Sequence, residues 1–481
     1  MATAQQSLGG VRRGRVRIGI TRASALKETR ETGVPDGWSG SDTVRQLPHI
    51  RGVSGSVTLP GSKSLSNRVL LLAALSENAC SVENILDSED VRAMVHALSS
   101  LGISLQAHWP SARVDVLGCN GVLAPGGSDA SSAVPLSLGN AGTAMRPLCA
   151  AIAAAGTGSY RLDGVERMRE RPIQGLVDAL TQLGCFAECS LGTGCPPVDL
   201  HACGLDGSSV QVDGSISSQY VTALLMASRL AQSDVSIDVV NGLISKPYID
   251  MTAQLMRRFG ADVRAADESL ERWHVRAGKY TAPERAFVEG DASSASYFLG
   301  MAAIAGGTVR VDGCGSESLQ GDVRFADVLG KMGCSVTWHA NSIEIYSPPD
   351  DVLRGVDEDC GDIPDAAMTL AVVALFADSP TRIRNVASWR VKETERMHAL
   401  GREICKLGGT LNEIGEGECV ICPAKRLQFA TIDTYNDHRM AMAFSLAAAS
   451  YEGVAIRDPD CVGKTFPTFF ATLESVCTTE W

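Results

Sequence analysis

Short stretches that combine cations, hydroxyls and glycines stand where apolar, helix-like segments begin. In residues 59–68, Leu-Pro-Gly-Ser-Lys-Ser-Leu-Ser-Asn-Arg, the cations are Lys63 and Arg68. The first N–H groups of a helix have no partner within it and lie at the positive end of its dipole. The combination is typical of an anion-binding site. It is not a P-loop, because no glycine directly precedes the lysine.

Further stretches of the same kind follow along the chain. Residues 139–147, Gly-Asn-Ala-Gly-Thr-Ala-Met-Arg-Pro, offer glycines that a ligand could approach, and residues 215–219, Ser-Ile-Ser-Ser-Gln, offer hydroxyls and an amide. Residues 167–171 and 389–396 are rich in arginine and lysine. Each stretch alone reads as the N-cap region of a core helix. Together they hold too many cations for caps alone, and they predict a ligand with several negative charges.

The composition limits what this ligand can be. The chain has 481 residues, and 43 Lys and Arg against 55 Asp and Glu give a formal net charge of −12. We therefore expect neither nucleic acid nor an anionic membrane as the main partner. No apolar run approaches the ~18–20 residues that a membrane helix needs. A small anionic substrate held by a local cluster of cations fits best.

The cysteines and one histidine could indicate disulfide bonds, a zinc or redox site, or a ligand contact. Fifteen cysteines, an odd number, are scattered along the chain, which favours reduced thiols over a disulfide framework. Cys419 and Cys422 form a CxxC pair inside an apolar run that reads as a strand, so a buried structural role is favoured over zinc or redox chemistry. His438 stands alone at a helix start, which is more typical of a structural residue than of a ligand.

The N-terminal segment, residues 1–42, differs from the rest of the chain. Its first 27 residues hold no acidic side chain, and the segment lacks sustained hydrophobic periodicity. This pattern resembles a transit peptide and predicts a plastid location. A disordered tail of a cytoplasmic protein, or a remnant of a longer precursor, is the alternative. The basic side chains are Arg12, Arg13, Arg15, Arg17, Arg22 and Lys27.

Internal repetition predicts the architecture. Five helical segments end in a glycine, and a short alternating strand follows each apolar helix; both markers recur at spacings of 72–82 residues. Six units of about 75 residues, in two sets of three, make a two-domain α/β protein. The apolar helices are expected at residues 141–155, 219–230, 295–305, 366–376 and 440–449. The glycines are Gly102, Gly184, Gly260, Gly333 and Gly408, and the strands start at Ser81, Ser159, Ser236, Thr308, Thr381 and Val454.

Ten motifs, in order and without a large gap, resemble those of the 5-enolpyruvylshikimate-3-phosphate synthase (EPSP synthase) family, in its plant-type, glyphosate-sensitive class. The resemblance covers about residue 44 to the C-terminus. One position differs between the classes: Ser388, which the resemblance also assigns to substrate binding, stands where bacterial members often have Asn and plant-type members have Ser. The motifs span residues 59–68, 139–147, 167–172, 215–219, 244–250, 289–298, 364–370, 389–396, 437–442 and 464–467.

The resemblance implies a fold and a domain division. Each domain is expected to contain three βαβαββ units, with the apolar helices pointing their N-termini at an interdomain cleft that holds the ligands. The chain is expected to cross twice between the domains. Residues 43–61 and 289–481 would form one domain, and residues 62–288 the other.

The resemblance also implies a reaction. The enolpyruvyl group of phosphoenolpyruvate would be transferred to the 5-hydroxyl of shikimate 3-phosphate, with release of phosphate and without a metal or organic cofactor. Phosphoenolpyruvate and shikimate 3-phosphate are then the partners of a protein expected to be monomeric. Because cations line both domains, we expect the empty cleft to open and shikimate 3-phosphate to close it.

The resemblance assigns residues to each substrate. Shikimate 3-phosphate is expected to meet Ser64, Arg68, Ser217, Ser218, Gln219, Ser245 and Tyr248, with Lys392 on the same side. Phosphoenolpyruvate is expected among Lys63, Asn140, Gly142, Arg171, Arg396, Arg439 and Lys464. Asp365 is the preferred base and Glu393 the preferred proton relay, and Lys63 could share either task. Arg146 either contacts a ligand or orients its loop.

Two alternatives stay open at this stage. UDP-N-acetylglucosamine enolpyruvyl transferase shares the fold and the phosphoenolpyruvate chemistry, but the cysteine-bearing loop of that enzyme has no convincing counterpart here. A noncatalytic module of the same fold would be expected to lack Lys63, Asp365 or Glu393, and all three are present.

Overall fold

The computed structural model describes residues 41–348 and 352–480, which belong to one compact unit. The predicted transit-like segment therefore lies almost wholly outside the described residues. In the described part of the chain, no helix is long and apolar enough to cross a membrane. All fifteen cysteines are described, and each is a free thiol.

Twelve α-helices occur in the described ranges. They are α1 (Lys63–Leu75), α2 (Glu89–Ser100), α3 (Gly142–Ala155), α4 (Gln174–Gln182), α5 (Ser218–Ser228), α6 (Lys246–Arg258), α7 (Ala292–Ala305), α8 (Phe325–Lys331), α9 (Ala367–Val373), α10 (Arg396–Lys406), α11 (His438–Phe444) and α12 (Phe469–Val476).

The strands of the same ranges form six separate sheets. In chain order they are β1 (Val44–Leu47), β2 (His49–Thr58), β3 (Ala79–Glu83), β4 (Ser104–His108), β5 (Arg113–Leu117), β6 (Val134–Ser137), β7 (Gly158–Asp163), β8 (Phe186–Cys189), β9 (Val198–Ala202), β10 (Ser209–Asp213), β11 (Val235–Val240), β12 (Val263–Ala265), β13 (Arg272–Val275), β14 (Arg285–Phe287), β15 (Gly307–Asp312), β16 (Ser335–His339), β17 (Ser342–Tyr346), β18 (Asp357–Asp359), β19 (Thr381–Arg384), β20 (Thr410–Ile414), β21 (Glu418–Cys422), β22 (Thr431–Ile432), β23 (Val454–Arg457) and β24 (Cys477–Glu480).

The predicted six-fold repeat is confirmed by the sheet order. In the sheet β10-β11-β13-β12, two parallel strands flank α5, and an antiparallel hairpin follows α6. Four other sheets repeat this βαβαββ arrangement, one of them with β24 added at its edge. The sixth unit is shorter: β22 and β23 pair in parallel, and β1 takes the place of the hairpin.

The five predicted terminal glycines all end helices in the same way. Each has a positive φ, between 77° and 118°, which a residue without Cβ adopts at little cost. At the end of α2, the Gly102 amide donates to Ser99 O at 3.0 Å and the Ile103 amide to Leu98 O at 3.0 Å. This is the Schellman pattern of hydrogen bonds, and it recurs after α4, α6, α8 and α10.

The apolar helices are buried as predicted. Almost every residue of α1, α3, α5 and α7 is buried, because these helices pack against each other and against the sheets. The helices predicted at 366–376 and 440–449 are split: α9 and α11 are each seven residues long and continue as 3₁₀ turns, Ala374–Phe376 and Ser445–Ala449.

Two hydrophobic cores divide the described residues. One gathers side chains between Leu65 and Val288, and the other gathers side chains from Leu47–Leu59 and from Ala292 onwards. The strand that precedes α1, β2, pairs in parallel with β15 of the second group, while β14 pairs with β3 of the first. The two groups thus exchange their first strands, as a chain that crosses twice requires. The exact domain boundaries remain a prediction.

The two crossing segments run side by side. The Ser62 amide donates to Glu289 O at 2.8 Å, and the Asp291 amide donates to Pro60 O at 2.9 Å. Gly61 and Gly290 form an antiparallel bridge between them. Lys63, the first residue of α1, therefore begins immediately beside the connection between the two halves.

Candidate active site

One cleft between the two groups of helices gathers most of the predicted site residues. It also exposes residues that the sequence did not single out, among them Asp90 and Thr143. Fifteen predicted residues line it: Lys63, Ser64, Arg68, Gly142, Arg171, Ser217, Ser218, Gln219, Ser245, Tyr248, Asp365, Ser388, Lys392, Glu393 and Arg439.

The other three predicted residues lie directly behind this lining. Arg396 is fully buried and donates to Asp365 and Glu393, and Asn140 accepts from Arg171 through its side chain at 2.8 Å. The Lys464 ammonium lies 3.3 Å from Asn140 O. The structure thus brings the whole predicted set together, although the substrate assigned to each residue stays a prediction.

Helix starts explain why these residues meet. Lys63 and Gly142 are the first residues of α1 and α3, and Ser217 is the N-cap of α5, where its hydroxyl accepts from the Gln219 amide at 3.2 Å. The apolar bodies of these helices must be buried, so their polar first turns converge at one end of the core. Free N–H groups at these starts add positive potential to the cleft.

A buried tryptophan fixes the segment that carries the acidic residues. The short 3₁₀ turn Ala387–Val391 buries Trp389, whose indole N–H donates to Pro364 O at 2.6 Å. This contact joins the turn before Lys392 and Glu393 to the turn before Asp365. Two segments 25 residues apart in sequence are thereby held on the same wall of the cleft.

Arg396 is the centre of charge compensation in the cleft. The guanidinium, although completely buried, donates to Asp437 at 2.8 Å, to Glu393 at 2.9 Å and to Asp365 at 3.0 Å. Arg439 adds a contact of 2.9 Å to the second oxygen of Asp365. Carboxylates that accept from its donors in this way compensate the cost of burying the charge of the guanidinium.

The same cations keep the two acidic residues ionised. Burial alone would raise the pKa of Asp365, but Arg439, Lys392 and Arg396 outweigh burial and hold that pKa well below its ordinary value. Burial likewise opposes ionisation of Glu393, and Arg396 with Lys63 overcomes it, so that its pKa is also well below the ordinary value. In this arrangement both groups are carboxylates and weak bases.

A second ionic cluster lies nearer the crossing segments. Lys63 Nζ is 3.4 Å from Asp90 and 3.6 Å from Glu393, and Lys464 Nζ is 3.1 Å from the other oxygen of Asp90. In this part of the cleft carboxylates thus alternate with cations. Repulsion between its walls is accordingly smaller than the cations alone led us to expect, and these contacts bridge the cleft.

The predicted shikimate 3-phosphate side is built by α5, α6 and the first turns of α1. Arg68 is buried, and its guanidinium donates to Thr252 Oγ1 at 2.8 Å and to Ser64 O at 2.9 Å. Burial lowers the pKa of Arg68 to about 10, which still leaves it cationic at neutral pH. The buried amide oxygen of Gln219 has no partner and lies in this part of the cleft.

Two neighbouring guanidiniums face the glycine at the start of α3. A Cβ on Gly142 would lie 2.7 Å from a terminal nitrogen of both Arg146 and Arg171. Arg146 donates to Pro172 O at 2.7 Å while its Nε and Nη1 have no partner. Arg146 thus both holds the loop and faces the cleft, so the two interpretations of this residue are not exclusive.

Asp90, Asp322 and Asp437 are buried near the cleft and were not assigned a role from the sequence. Asp437 lies within a recognised motif, and Asp90 is a first-turn acid of α2, a pattern that also occurs in ordinary helices. No local pattern marks Asp322. Its carboxylate accepts from Tyr248 Oη at 2.7 Å and Ser293 Oγ at 2.9 Å.

The remaining sequence alternatives concern histidine and cysteine. His438 is completely buried, and burial, with Lys63 and Arg439, keeps its pKa well below the ordinary value, so it is neutral. Cys419 and Cys422 lie on β21, the predicted strand. The described residues contain no group of three His, Cys, Asp or Glu side chains arranged to hold a metal.

Comparison with known proteins assigns the family. The profile of EPSP synthase (3-phosphoshikimate 1-carboxyvinyltransferase) matches residues 48–473. The chain belongs to the EPSP synthase family. It is 57% identical over 438 residues to the chloroplastic 3-phosphoshikimate 1-carboxyvinyltransferase of Arabidopsis thaliana, which covers 89% of this chain and 84% of the relative. The enzyme of the same name from Sulfurovum is 50% identical over 431 residues, covering 89% and 98%.

Solved structures agree with the two-domain fold. An EPSP synthase from Acinetobacter baumannii superposes with a TM-score of 0.73 at 24% identity, covering 91% of this chain and 98% of that one. The enolpyruvyl transferase NikO from Streptomyces tendae gives a TM-score of 0.68 at 17% identity. At these identities the likeness concerns the fold alone.

Asp322 makes stability depend on pH. Burial and the nearby Asp365 raise its pKa to about 6, against the lowering effects of Arg439, Tyr248 and Ser293. A carboxyl that binds its proton more tightly when folded stabilises the fold most below its ordinary pKa, and this stabilisation is lost as the pH rises through about 6.

Asp322→Asn, which stays neutral, should therefore gain stability relative to the native protein as the pH rises from about 4 to about 7, by at most ~3 kcal/mol. Denaturant unfolding of both proteins at several pH values measures this difference. If the difference in free energy of unfolding between the two proteins stayed constant over this pH range, the pKa of Asp322 would not be raised.

Proposed function

We propose that this protein transfers the enolpyruvyl group of phosphoenolpyruvate to the 5-hydroxyl of shikimate 3-phosphate and releases phosphate. One observation carries the proposal beyond family membership: six cations face a single cleft in a protein of net charge −12. Two substrates that together bear two phosphates and two carboxylates explain this concentration. The cations are Lys63, Arg68, Arg146, Arg171, Lys392 and Arg439.

Each substrate has a distinct part of the cleft. The hydroxyls of Ser217, Ser218 and Ser245, at the starts of α5 and α6, suit the phosphate of shikimate 3-phosphate, and Arg68 suits its carboxylate. Phosphoenolpyruvate, with two anionic groups of its own, is placed among the guanidiniums of Arg171, Arg396 and Arg439 and the ammoniums of Lys63 and Lys464, with Gly142 and Asn140 beside it.

Substrate binding itself prepares the acidic groups for proton transfer. Arg396, Arg439 and Lys63 now serve as counter-charges of Asp365 and Glu393. When the phosphate and carboxylate of phosphoenolpyruvate compensate these cations, the carboxylates lose part of that stabilisation, and their pKa values rise. The carboxylates then become stronger bases only when the substrate is present.

The chemistry can then proceed by addition and elimination. A proton reaches the methylene carbon of phosphoenolpyruvate through Glu393 or Lys63, and the 5-hydroxyl adds to the adjacent carbon as Asp365 accepts its proton. The tetrahedral intermediate carries both the former 5-hydroxyl oxygen of shikimate 3-phosphate and the phosphate. The phosphate then leaves, and a proton of the new methyl group returns to the group that supplied it, Glu393 or Lys63, which restores the double bond. The surrounding cations stabilise the phosphate as it leaves.

Phosphate release from purified protein tests the proposal. Turnover is expected with phosphoenolpyruvate and shikimate 3-phosphate together, and not when UDP-N-acetylglucosamine replaces shikimate 3-phosphate. No turnover with either acceptor would mean a noncatalytic protein, and turnover with the nucleotide sugar alone would assign the other transferase.

We also propose that the protein acts as a monomer in the plastid. All eighteen predicted site residues meet in or directly behind the cleft of a single chain, which supports a monomer. The relatives from Arabidopsis thaliana, Brassica napus and Petunia hybrida bear the name chloroplastic, and the acid-free, arginine-rich N-terminal sequence supports the same location. Residues 1–42 fused to a fluorescent reporter should direct it into plastids, and a wholly cytosolic signal would reject the location.

Lys63→Ala should lower kcat/KM by at least ~10²-fold, because a charge-assisted contact worth roughly 1.5–3 kcal/mol is lost together with any share in proton transfer. The fold should stay intact, since the side chain heads a helix at the cleft. Lys331→Ala, which removes an exposed ion pair with Glu358, is the control. Steady-state kinetics and thermal unfolding give the comparison; more than a tenth of native activity in Lys63→Ala would contradict the role.

Glyphosate, which carries a phosphonate and a carboxylate, should inhibit in the micromolar range by competing with phosphoenolpyruvate for the same cations. Gly142→Ala should raise the inhibition constant far more than the Michaelis constant for phosphoenolpyruvate. The new methyl group crowds Arg146 and Arg171, at a cost of roughly 1–3 kcal/mol, and the longer ligand needs more of the space beside them.

Gly401→Ala is the matched control, since a Cβ at that position on α10 meets only Leu411 at 3.9 Å. The test measures the inhibition constant for glyphosate and the Michaelis constant for phosphoenolpyruvate in the native protein, in Gly142→Ala and in Gly401→Ala. If Gly142→Ala raised both constants by the same factor, position 142 would not distinguish glyphosate from the shorter phosphoenolpyruvate.

A further inference from the structure

Arg167 reaches across the cleft to the segment that carries two of the proposed active-site residues. It lies in the 3₁₀ segment Glu166–Glu170, between β7 and α4 in the first half of the chain. Its Nε donates to Glu393 O at 3.1 Å, and its Nη2 donates to Lys392 O at 2.9 Å. More than 220 residues separate the partners in sequence.

The remaining terminal nitrogen of Arg167 is also engaged. Nη1 donates to Glu170 at 2.6 Å, which orients the guanidinium from its own segment. Both acceptors across the cleft are main-chain carbonyls of adjacent residues. The planar fork of arginine can bind both at once, whereas an ammonium could serve only one of them well.

The contacted peptide lies between two fixed points. Trp389 anchors the preceding 3₁₀ turn through Pro364 O, and Glu395 caps α10 by accepting from the His398 amide at 2.8 Å. Between these anchors, residues 392–394 have no regular secondary structure. Arg167 holds this stretch from the opposite side of the cleft.

Arg167 differs from the other contacts that bridge the two halves. The bridges made by Lys63 and Lys464 use side chains that the proposed substrates would engage, so substrates would compete with these bridges. Arg167 does not belong to the cleft lining, and its acceptors are backbone atoms. Its contact can therefore persist while the side chains of Lys392 and Glu393 bind and react.

We infer that Arg167 is a positioning residue that couples closure of the cleft to the placement of Lys392 and Glu393. The inference rests on the proposed function for its catalytic consequence. Closing the cleft brings the guanidinium to the two carbonyls, and the two side chains are then directed at the ligands. Opening the cleft removes the restraint and leaves the peptide free to move, which favours product release.

Two variants test this inference. Arg167→Ala removes the contact, and Arg167→Lys keeps the charge with a single donor centre. Arg169→Ala is the matched control, because Arg169 lies in the same segment but pairs with Asp163. We expect Arg167→Ala to lower kcat by about tenfold or more while the Michaelis constants change less, since misplacing a reacting group slows chemistry more than binding. Arg167→Lys should be intermediate.

Rescue separates positioning from a merely structural effect. Guanidinium ion added to Arg167→Ala should restore part of kcat, because it can occupy the vacated position between the two carbonyls, and it should not affect Arg169→Ala. A kcat of Arg167→Ala within twofold of the control, or a loss that guanidinium leaves unchanged, would overturn the inference.

One readout does not depend on turnover. Trypsin cleaves after Lys392, at the peptide whose carbonyl Arg167 holds, so cleavage there should be at least about fivefold faster in Arg167→Ala than in Arg169→Ala under native conditions. Equal cleavage rates would overturn the inference. Faster cleavage without turnover in the native protein would instead reject the proposed function and leave the contact established.

Discussion

Charge compensation around one buried guanidinium is the constraint on which the cleft depends. Arg396 is held by Asp437, Glu393 and Asp365, and removal of any partner would leave uncompensated charge in a region without solvent. The cost of burying these groups explains why Asp365 and Glu393 each have more than one cationic neighbour. It also explains how an acidic protein can hold Lys63, Lys392, Arg396 and Arg439 close together, since Asp365 and Glu393 lie between them.

The same constraint joins stability to chemistry. The cations that stabilise Asp365 and Glu393 as carboxylates are those proposed to bind phosphoenolpyruvate, so the substrate and the acidic groups share them. An enzyme arranged in this way avoids keeping a strong base in an empty site, where water would protonate it. The apolar helices supply the geometry, because their burial fixes where the polar first turns of α1, α3 and α5 must lie.

Much of this arrangement could be predicted from the sequence because its signals are local. A glycine that ends a helix, such as Gly102, is recognised from its immediate neighbours, and its recurrence, together with that of six strand starts, predicted six units. The cationic motifs at helix starts are equally local. The partners of these motifs are not: Asp322 lies between α7 and α8 without any distinguishing pattern, and the contact of Arg167 with Lys392 joins residues from different halves. Such pairings arise only from tertiary packing, which local patterns in a single sequence do not reveal.

The exchange of first strands has a consequence for how the chain is made. Synthesis proceeds from the N-terminus, so β2 is available long before β15, the strand beside which it belongs. Meanwhile the intervening residues can complete their own core as soon as β14 joins β3. Until β15 has been made, β2 is a ten-residue strand whose partner on that side is missing, the kind of segment that pairs wrongly with other chains. The half that the ribosome begins first is therefore the half that folds last.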